Sequence, residues 1–148
     1  MKTIDTGLVR FELPFDRGME EIFFNPNDIE FVGRIVDMME NISGIYILAE
    51  EEYNKDGIEP KEQLKILREA NTKICDEFDF AFGNKVSDKM FKYCSPTSVV
   101  KGKNQYYTWY LLEMLFADIE KEVGVTMTST NNNLKKIMDK HATNYIKR

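Results

Sequence analysis

Apolar and polar residues alternate near the N-terminus in a pattern that predicts a β-hairpin. Over residues 7–15 the apolar side chains fall on one side and the charged ones on the other: Val9, Phe11, Leu13 and Phe15 against Arg10 and Glu12. This period of two is typical of a strand with one buried face. Asp16-Arg17-Gly18 supplies turn residues before a second run, residues 20–24, and Pro14 fits an edge position. A lone hairpin is marginal in water, so we expect this one to pack on a helix or pair with another chain.

The stretch from Phe23 to Phe31 marks the change from a strand pattern to a helix pattern. Asn25 is a favourable N-cap residue, Pro26 suits the first helical position, and Asp28 follows the cap by three residues. These three residues predict a helix start with negative charge at the positive end of the helix dipole. The apolar stripe expected for this helix is Ile29, Val32, Ile35, Val36 and Met39.

Further helical patterns follow, separated by turn residues. Ser43-Gly44 is expected to end or kink the first helix near Ile42, and a helical pattern resumes over residues 45–52. Residues 60–82 and 104–123 predict two longer helices, and residues 87–94 a short one capped by Ser87 and Asp88. The stripe expected for the helix that starts at Pro60 is Leu64, Leu67, Ala70, Ile74 and Phe78. The predicted fold is α+β and predominantly α, a two-stranded N-terminal hairpin followed by a bundle of about five helices.

Charge divides the chain into an acidic body and a basic end. Residues 1–124 carry 15 Lys and Arg against 24 Asp and Glu, a net charge of −9, whereas residues 125–148 carry five against one, a net charge of +4. We interpret residues 1–124 as hairpin and helical body. Residues 125–148 are interpreted as a polar linker and a basic helix, in the same domain or as a mobile appendage. The stripe of this last helix is Leu134, Ile137, Met138, Ala142 and Tyr145.

The charge distribution also bears on partners. An acidic body repels phosphates, which argues against nucleic-acid binding. The basic helix is either a solvated surface or a segment that docks on an acidic partner, such as the body of a neighbouring copy. No apolar run approaches the roughly 20 residues that span a bilayer. With no signal-peptide pattern and two cysteines outside any C-x-x-C motif, we expect a cytoplasmic protein without a membrane anchor.

Candidate chemistry is sparse. His141 is the only histidine and lacks ligands at metal spacing, which argues against zinc sites and catalytic triads. Asp76, Glu77 and Asp79 form an acidic cluster without the pattern of a calcium-binding loop, and we interpret it as a solvated face. Glycine-rich phosphate-binding motifs are absent. We therefore expect no enzyme, with no catalytic, cofactor-binding or metal-binding residues.

Aromatic residues in the last long helix of the body suggest a protein-binding surface. Their spacing does not let all of them share one helix face, so core packing accounts for some and leaves others, above all Tyr106 and Trp109, exposed or bound to a partner. The residues expected to line such a partner site are Phe31, Tyr106, Trp109, Tyr110 and Phe116. Core packing is the alternative interpretation of the same residues.

Several segments together resemble a known family. The hairpin, the junction Phe24-Asn25-Pro26-Asn27-Asp28 with Phe31 and Arg34, and the helix end Asp79-Phe80-Ala81-Phe82-Gly83 are similar to the small tail assembly chaperones of long-tailed phages and prophages of Gram-positive bacteria. A short helix with Met90-Phe91 and a Lys-rich end with Asn144-Tyr145 add to the resemblance. The aromatic helix 104–123 departs from it.

The resemblance implies a non-enzymatic function. Such chaperones bind the long helical tape measure protein, keep it soluble, and assist tail tube assembly around it. They act in the host cytoplasm and are usually lost from the finished virion. Expected partners are thus the tape measure protein, possibly the major tail protein, and further copies of this chain. The alternatives are a structural tail subunit, of the tail-completion or connector type, that forms a ring, and a small regulatory protein that binds one host partner.

Overall fold

The computed structural model describes residues 1–123, which form two strands and four helices. In chain order they are β1 (Val9–Phe15), β2 (Gly18–Phe24), α1 (Ile29–Tyr53), α2 (Pro60–Phe82), α3 (Ser87–Met90) and α4 (Tyr107–Val123). The fold is α+β and predominantly α, as the sequence predicts, although about five helices were expected. The predicted linker and basic helix at 125–148 lie outside the described residues.

The hairpin has the predicted burial pattern. β1 and β2 pair antiparallel in a register that runs from Val9 opposite Phe24 to Phe15 opposite Gly18, with Asp16 and Arg17 as the turn. The inward side chains of both strands are buried: Phe11, Leu13, Ile22 and Phe24. Phe24 stacks on Phe31 of α1 at 5.5 Å between ring centroids. The hairpin therefore packs on a helix, one of the two expected ways of covering its apolar face.

The predicted helix start is wrong by three residues. α1 begins at Ile29, and the N-cap is Asp28, whose carboxylate accepts the Glu30 N–H at 3.0 Å. The side-chain oxygen of Asn25 accepts the Asn27 N–H at 3.0 Å, and the Asp28 N–H donates to the Asn25 carbonyl at 3.2 Å. Asn followed by Pro is equally suited to the first two positions of a β-turn, and that turn forms here. Asn25 and Pro26 therefore precede the helix.

α1 also continues through the predicted kink. It spans 25 residues without interruption at Ser43-Gly44, so two expected helices form one. Burial of Ile42 and Tyr46 on either side fixes this segment against the core, which outweighs the low helix propensity of glycine. Because the helix begins late, Ile29 is 82% exposed, and the buried stripe starts at Phe31 instead.

α2 runs antiparallel to α1 and has the predicted ends. Pro60 occupies its first turn, and Gly83 adopts φ 74° at its C-cap, a conformation that favours glycine. Arg34 of α1 donates its Nε–H to the Ala81 carbonyl in the last turn of α2 at 2.9 Å. Of the predicted stripe, Ala70, Ile74 and Phe78 are buried, whereas Leu64 near the start is exposed.

The segment between α3 and α4 is held against the helices by hydrogen bonds. The Pro96 carbonyl accepts from the Tyr46 hydroxyl at 2.8 Å and from the Thr108 hydroxyl at 3.0 Å. Thr97 donates its N–H to the Asn71 side chain at 2.9 Å. These bonds tie the segment to α1, α2 and α4, which fixes the loop that precedes α4.

Candidate partner-binding groove

Four of the five residues expected at a partner surface lie in the core. Phe31 is 4%, Tyr106 0%, Trp109 1% and Phe116 3% exposed. The expectation that Tyr106 and Trp109 are left exposed is therefore wrong, and the accessibility that a partner site requires is absent at these four positions. Only Tyr110 keeps part of its side chain at the surface.

An aromatic cluster around Tyr46 explains this burial. The Tyr46 ring stacks on Tyr106 at 4.5 Å and lies 5.5 Å from Trp109. Tyr46 belongs to the middle of α1, far from both in sequence, and the periodicity of α4 alone gives no sign of it. Tyr106 and Trp109, which the helix pattern does not place on the core face, are nevertheless buried. They are covered because α1 and the loop before α4 both pack in this region.

Tyr110 lies beside an apolar cavity of about 360 Å³. The cavity is bounded by the tip of the hairpin, the segment 94–101 and α4. Its lining is Leu13, Pro14, Phe15, Asp16, Cys94, Ser98, Val99, Val100, Lys101, Tyr107, Tyr110, Leu111 and Met114. Most of these side chains are apolar, as in sites that take apolar groups of a ligand or a partner.

A second cavity, of about 470 Å³, extends the first toward the end of α4. Pro14 and Met114 line both, so the two adjoin. The second is bounded by β1 on one side and by Ala117 and Asp118 of α4 on the other. We call the two adjoining cavities together the β1–α4 groove, because they lie between β1 of the hairpin and α4, the last described helix.

Two titratable groups of the groove, the Cys94 thiol and the Tyr107 hydroxyl, are held neutral. Burial, together with the charge of Asp16, raises the pKa of the Cys94 thiol. Tyr107 donates its hydroxyl to the Met90 carbonyl, and burial raises the pKa of that hydroxyl. The groove therefore presents apolar surface, a protonated thiol and a bonded hydroxyl, which suits it to contact more than to chemistry.

The acidic cluster at the end of α2 is not one site. Asp79 accepts both the N–H and the hydroxyl of Ser87, each at 2.8 Å, and so fixes the start of α3. Glu77 accepts from the Asn41 side chain at 3.1 Å on another side of the helix. The predicted solvated face is thus wrong for Asp79, because the chain turns back over it after Gly83. The predicted capping of this short helix by Ser87 and Asp88 is wrong, because its N-cap is Val86 and no side-chain cap hydrogen bond forms there.

Metal-binding clusters and membrane-spanning helices are both absent from residues 1–123. No group of three or more His, Cys, Asp or Glu side chains in this part of the chain is placed to hold a metal ion. None of the helices in the same part is at once long and apolar enough to cross a bilayer. His141 lies outside the described residues.

Sequence reasoning missed most of the groove. The sequence pattern places Pro14 only at a strand edge and gives no sign that Met114 lies opposite it. One signal was present: Val99-Val100 is an apolar pair inside a loop that is otherwise polar and followed by Lys101-Gly102-Lys103. An apolar pair in such a loop either packs on the body or contacts a partner.

Comparison of the chain with protein-family models, with curated proteins and with solved structures finds no match.

Proposed function

We propose that this protein is a non-enzymatic phage tail assembly chaperone that binds the tape measure protein and assists assembly of the tail tube. The proposal extends to transient contact with the major tail protein, to self-association, and to action in the host cytoplasm with loss from the finished virion. The proposal is supported by the sequence resemblance and by one structural observation, the β1–α4 groove.

The groove suits an apolar helical client. It is open along α4, its walls are mainly aliphatic and aromatic, and its charged groups lie beside that apolar surface. An amphipathic helix binds such a channel by inserting side chains spaced three and four residues apart. Met114 sits where the two cavities meet, and its flexible thioether adapts to side chains of different shape. A long client that offers many similar helical stretches needs this tolerance.

The test is co-expression of the tape measure protein with groove variants of this chain. Pro14 and Val99 are both exposed and both line the groove, so Pro14→Asp and Val99→Asp add charge there at little expense to folding. Leu64→Asp is the matched control, since Leu64 is an exposed apolar residue of α2 that does not line the groove. We expect wild type and the control to keep the client soluble and co-elute with it in size-exclusion chromatography.

The two groove variants are expected to leave most of the client insoluble while staying folded by circular dichroism. A client that remains equally soluble with all four proteins, or insoluble with wild type, contradicts the proposal. The co-eluting complex analysed by light scattering then gives the number of copies bound per client.

A structural ring subunit is the second candidate, and the outer edge of β1 favours it. β1 pairs only with β2 among the described residues, so its other edge is available to a strand of a neighbouring copy. Pro14 lies in this strand and donates no N–H, which limits such pairing to the part before it. A closed ring formed by the purified protein alone, with no effect on client solubility, supports this candidate over the chaperone.

A further inference from the structure

The β1–α4 groove lies beside the point where the described chain ends. α4 ends at Val123, and the second cavity is bounded by Ala117 and Asp118 of the same helix. We propose that residues 134–146 of this chain occupy the groove as an internal ligand. The segment would then compete with a client for the same apolar surface; this competition rests on the proposed function, whereas the contact itself does not.

The chain is long enough for this contact. Residues 124–133 number ten, and an extended chain covers up to about 3.3 Å per residue, or roughly 33 Å. The distance along α4 from Val123 back to Tyr110 is thirteen residues at about 1.5 Å each, or roughly 20 Å. The connection therefore reaches every part of the groove with length to spare for the turn.

The segment has the pattern that the groove requires. Its apolar residues recur three and four positions apart: Leu134, Ile137, Met138, Ala142 and Tyr145. On a helical period this stripe is about 16 Å long, and the wall of α4 from Tyr110 to Asp118 is about 12 Å long. A stripe of this length spans the α4 wall of both cavities.

Charge favours the same contact. Residues 1–123 carry 15 Lys and Arg and 24 Asp and Glu, whereas the segment after them carries five basic residues and one acidic residue. The charged lining of the groove is mixed: Glu12, Asp16 and Asp118 are acidic, and Arg10 and Lys101 are basic. Arg10 is paired with Glu12 at 2.7 Å and with Glu21 at 3.5 Å. The net negative charge of residues 1–123 therefore attracts a basic segment, and Asp16 and Asp118 offer it carboxylates along the groove. The covalent link raises its effective concentration above that of a free partner.

Cys94 provides a direct readout, because its thiol lines the groove. The experiment measures the rate of Cys94 alkylation by N-ethylmaleimide at pH 8 in the full chain with Cys75→Ser, which leaves one thiol. In this background Ile137→Asp places a charge in the middle of the stripe. Thr143→Asp is the matched control: it makes the same charge change six residues later, at a position that a 3.6-residue period places opposite the centre of the apolar stripe.

We expect Ile137→Asp to increase the alkylation rate at least fivefold and Thr143→Asp to change it less than twofold. A synthetic peptide of residues 130–148 is expected to restore protection to the Ile137→Asp variant. Equal rates in all three proteins overturn the proposal. Protection that disappears on dilution of the protein also overturns it, since the segment would then come from a second copy.

No client is present in this experiment, so its outcome is independent of the co-expression test. Protection of Cys94 with no client solubilised rejects the chaperone and keeps the internal ligand. Client binding with an unprotected Cys94 keeps the chaperone and rejects the internal ligand.

Discussion

The turn between the hairpin and α1 assigns separate roles to side chains of similar type. Asp28 caps α1 through the Glu30 N–H, while Asn25 closes the preceding turn and donates its Nδ2–H to the Thr6 carbonyl at 2.6 Å. Asn and Asp are almost equally good caps, so their intrinsic preferences do not decide between them. The Asn25 side chain is used in the turn, and Asp28 directly precedes Ile29, the first helical residue.

Asp28→Ala is expected to lower the free energy of unfolding by about 1 kcal/mol, because the Glu30 N–H loses its acceptor. Urea denaturation followed by the fluorescence of Trp109, the only tryptophan, measures it. Asp28→Ser keeps an acceptor and should stay near wild type. Asp56→Ala, at an exposed loop position, is the control for loss of one negative charge. An equal loss in Asp28→Ala and Asp56→Ala would remove the capping role.

The Cys75 thiol makes stability depend on pH in the alkaline range. Burial, followed by the charges of Asp79, Asp76 and Asp88, raises its pKa from 9.0 to about 11. Between these values the unfolded chain loses the thiol proton and the folded chain retains it. The contribution of this group is therefore present below pH 9 and is lost as pH rises toward 11.

We expect the urea midpoint of wild type to fall more steeply between pH 9 and pH 11 than that of Cys75→Ser, which has a similar volume and no titrating thiol. Cys94→Ser is the companion variant for the other cysteine, whose pKa is also raised by burial. Identical pH dependence in wild type and Cys75→Ser would show that the Cys75 thiol ionises equally in both states.

Two glycines have opposite effects on the helices. Gly44 lies inside α1, and a β-carbon built there meets no atom within 4 Å. Gly83 ends α2 with φ 74°, where the surrounding space is equally open but the backbone conformation disfavours a side chain. A β-carbon therefore has room at both sites, and the two glycines differ in their backbone φ angle.

Gly44→Ala is expected to raise the free energy of unfolding by about 0.5–1 kcal/mol, since alanine restricts the unfolded chain and favours helix. Gly83→Ala should lower it by about 1 kcal/mol through strain in the left-handed region. Thermal denaturation followed by circular dichroism gives both signs in one experiment. A loss of stability in Gly44→Ala would mean that α1 bends at this residue.

At the scale of the whole molecule, the aromatic cluster joins parts of the chain that are distant in sequence. Tyr46 of α1 contacts Tyr106 and Trp109 and bonds to Pro96, so α1, the loop and α4 meet at one ring. The hairpin reaches the same side of the core through Phe15, whose ring lies 6.3 Å from that of Tyr107. Phe15 and Tyr107 also line the β1–α4 groove.

Tyr106→Ala is expected to lower the free energy of unfolding by about 3 kcal/mol or more, the loss typical of a fully buried aromatic. Phe80→Ala is the matched control, because Phe80 is 74% exposed and should change stability by less than about 0.5 kcal/mol. Urea denaturation compares the two. A small effect of Tyr106→Ala would restore the surface role that its burial argues against.

The sequence by itself determined the local elements. Alternation in residues 7–15 sufficed for the hairpin and its buried face, because a strand with one covered side needs no more information than period two. Pro60 and Gly83 sufficed for the ends of α2, because each restricts the backbone wherever it occurs. The fold class followed from these elements.

Only the tertiary structure decided which surfaces are covered. Whether Tyr106 and Trp109 are exposed depends on Tyr46, about sixty residues earlier in the chain. The groove depends on how far the hairpin tip lies from Met114 of α4. Local sequence patterns indicate secondary-structure propensity and which side chains share a face, and both depend on neighbours within one or two turns. Burial depends on contacts between distant segments. For that reason the aromatic residues were misplaced and the groove was found only in the folded chain.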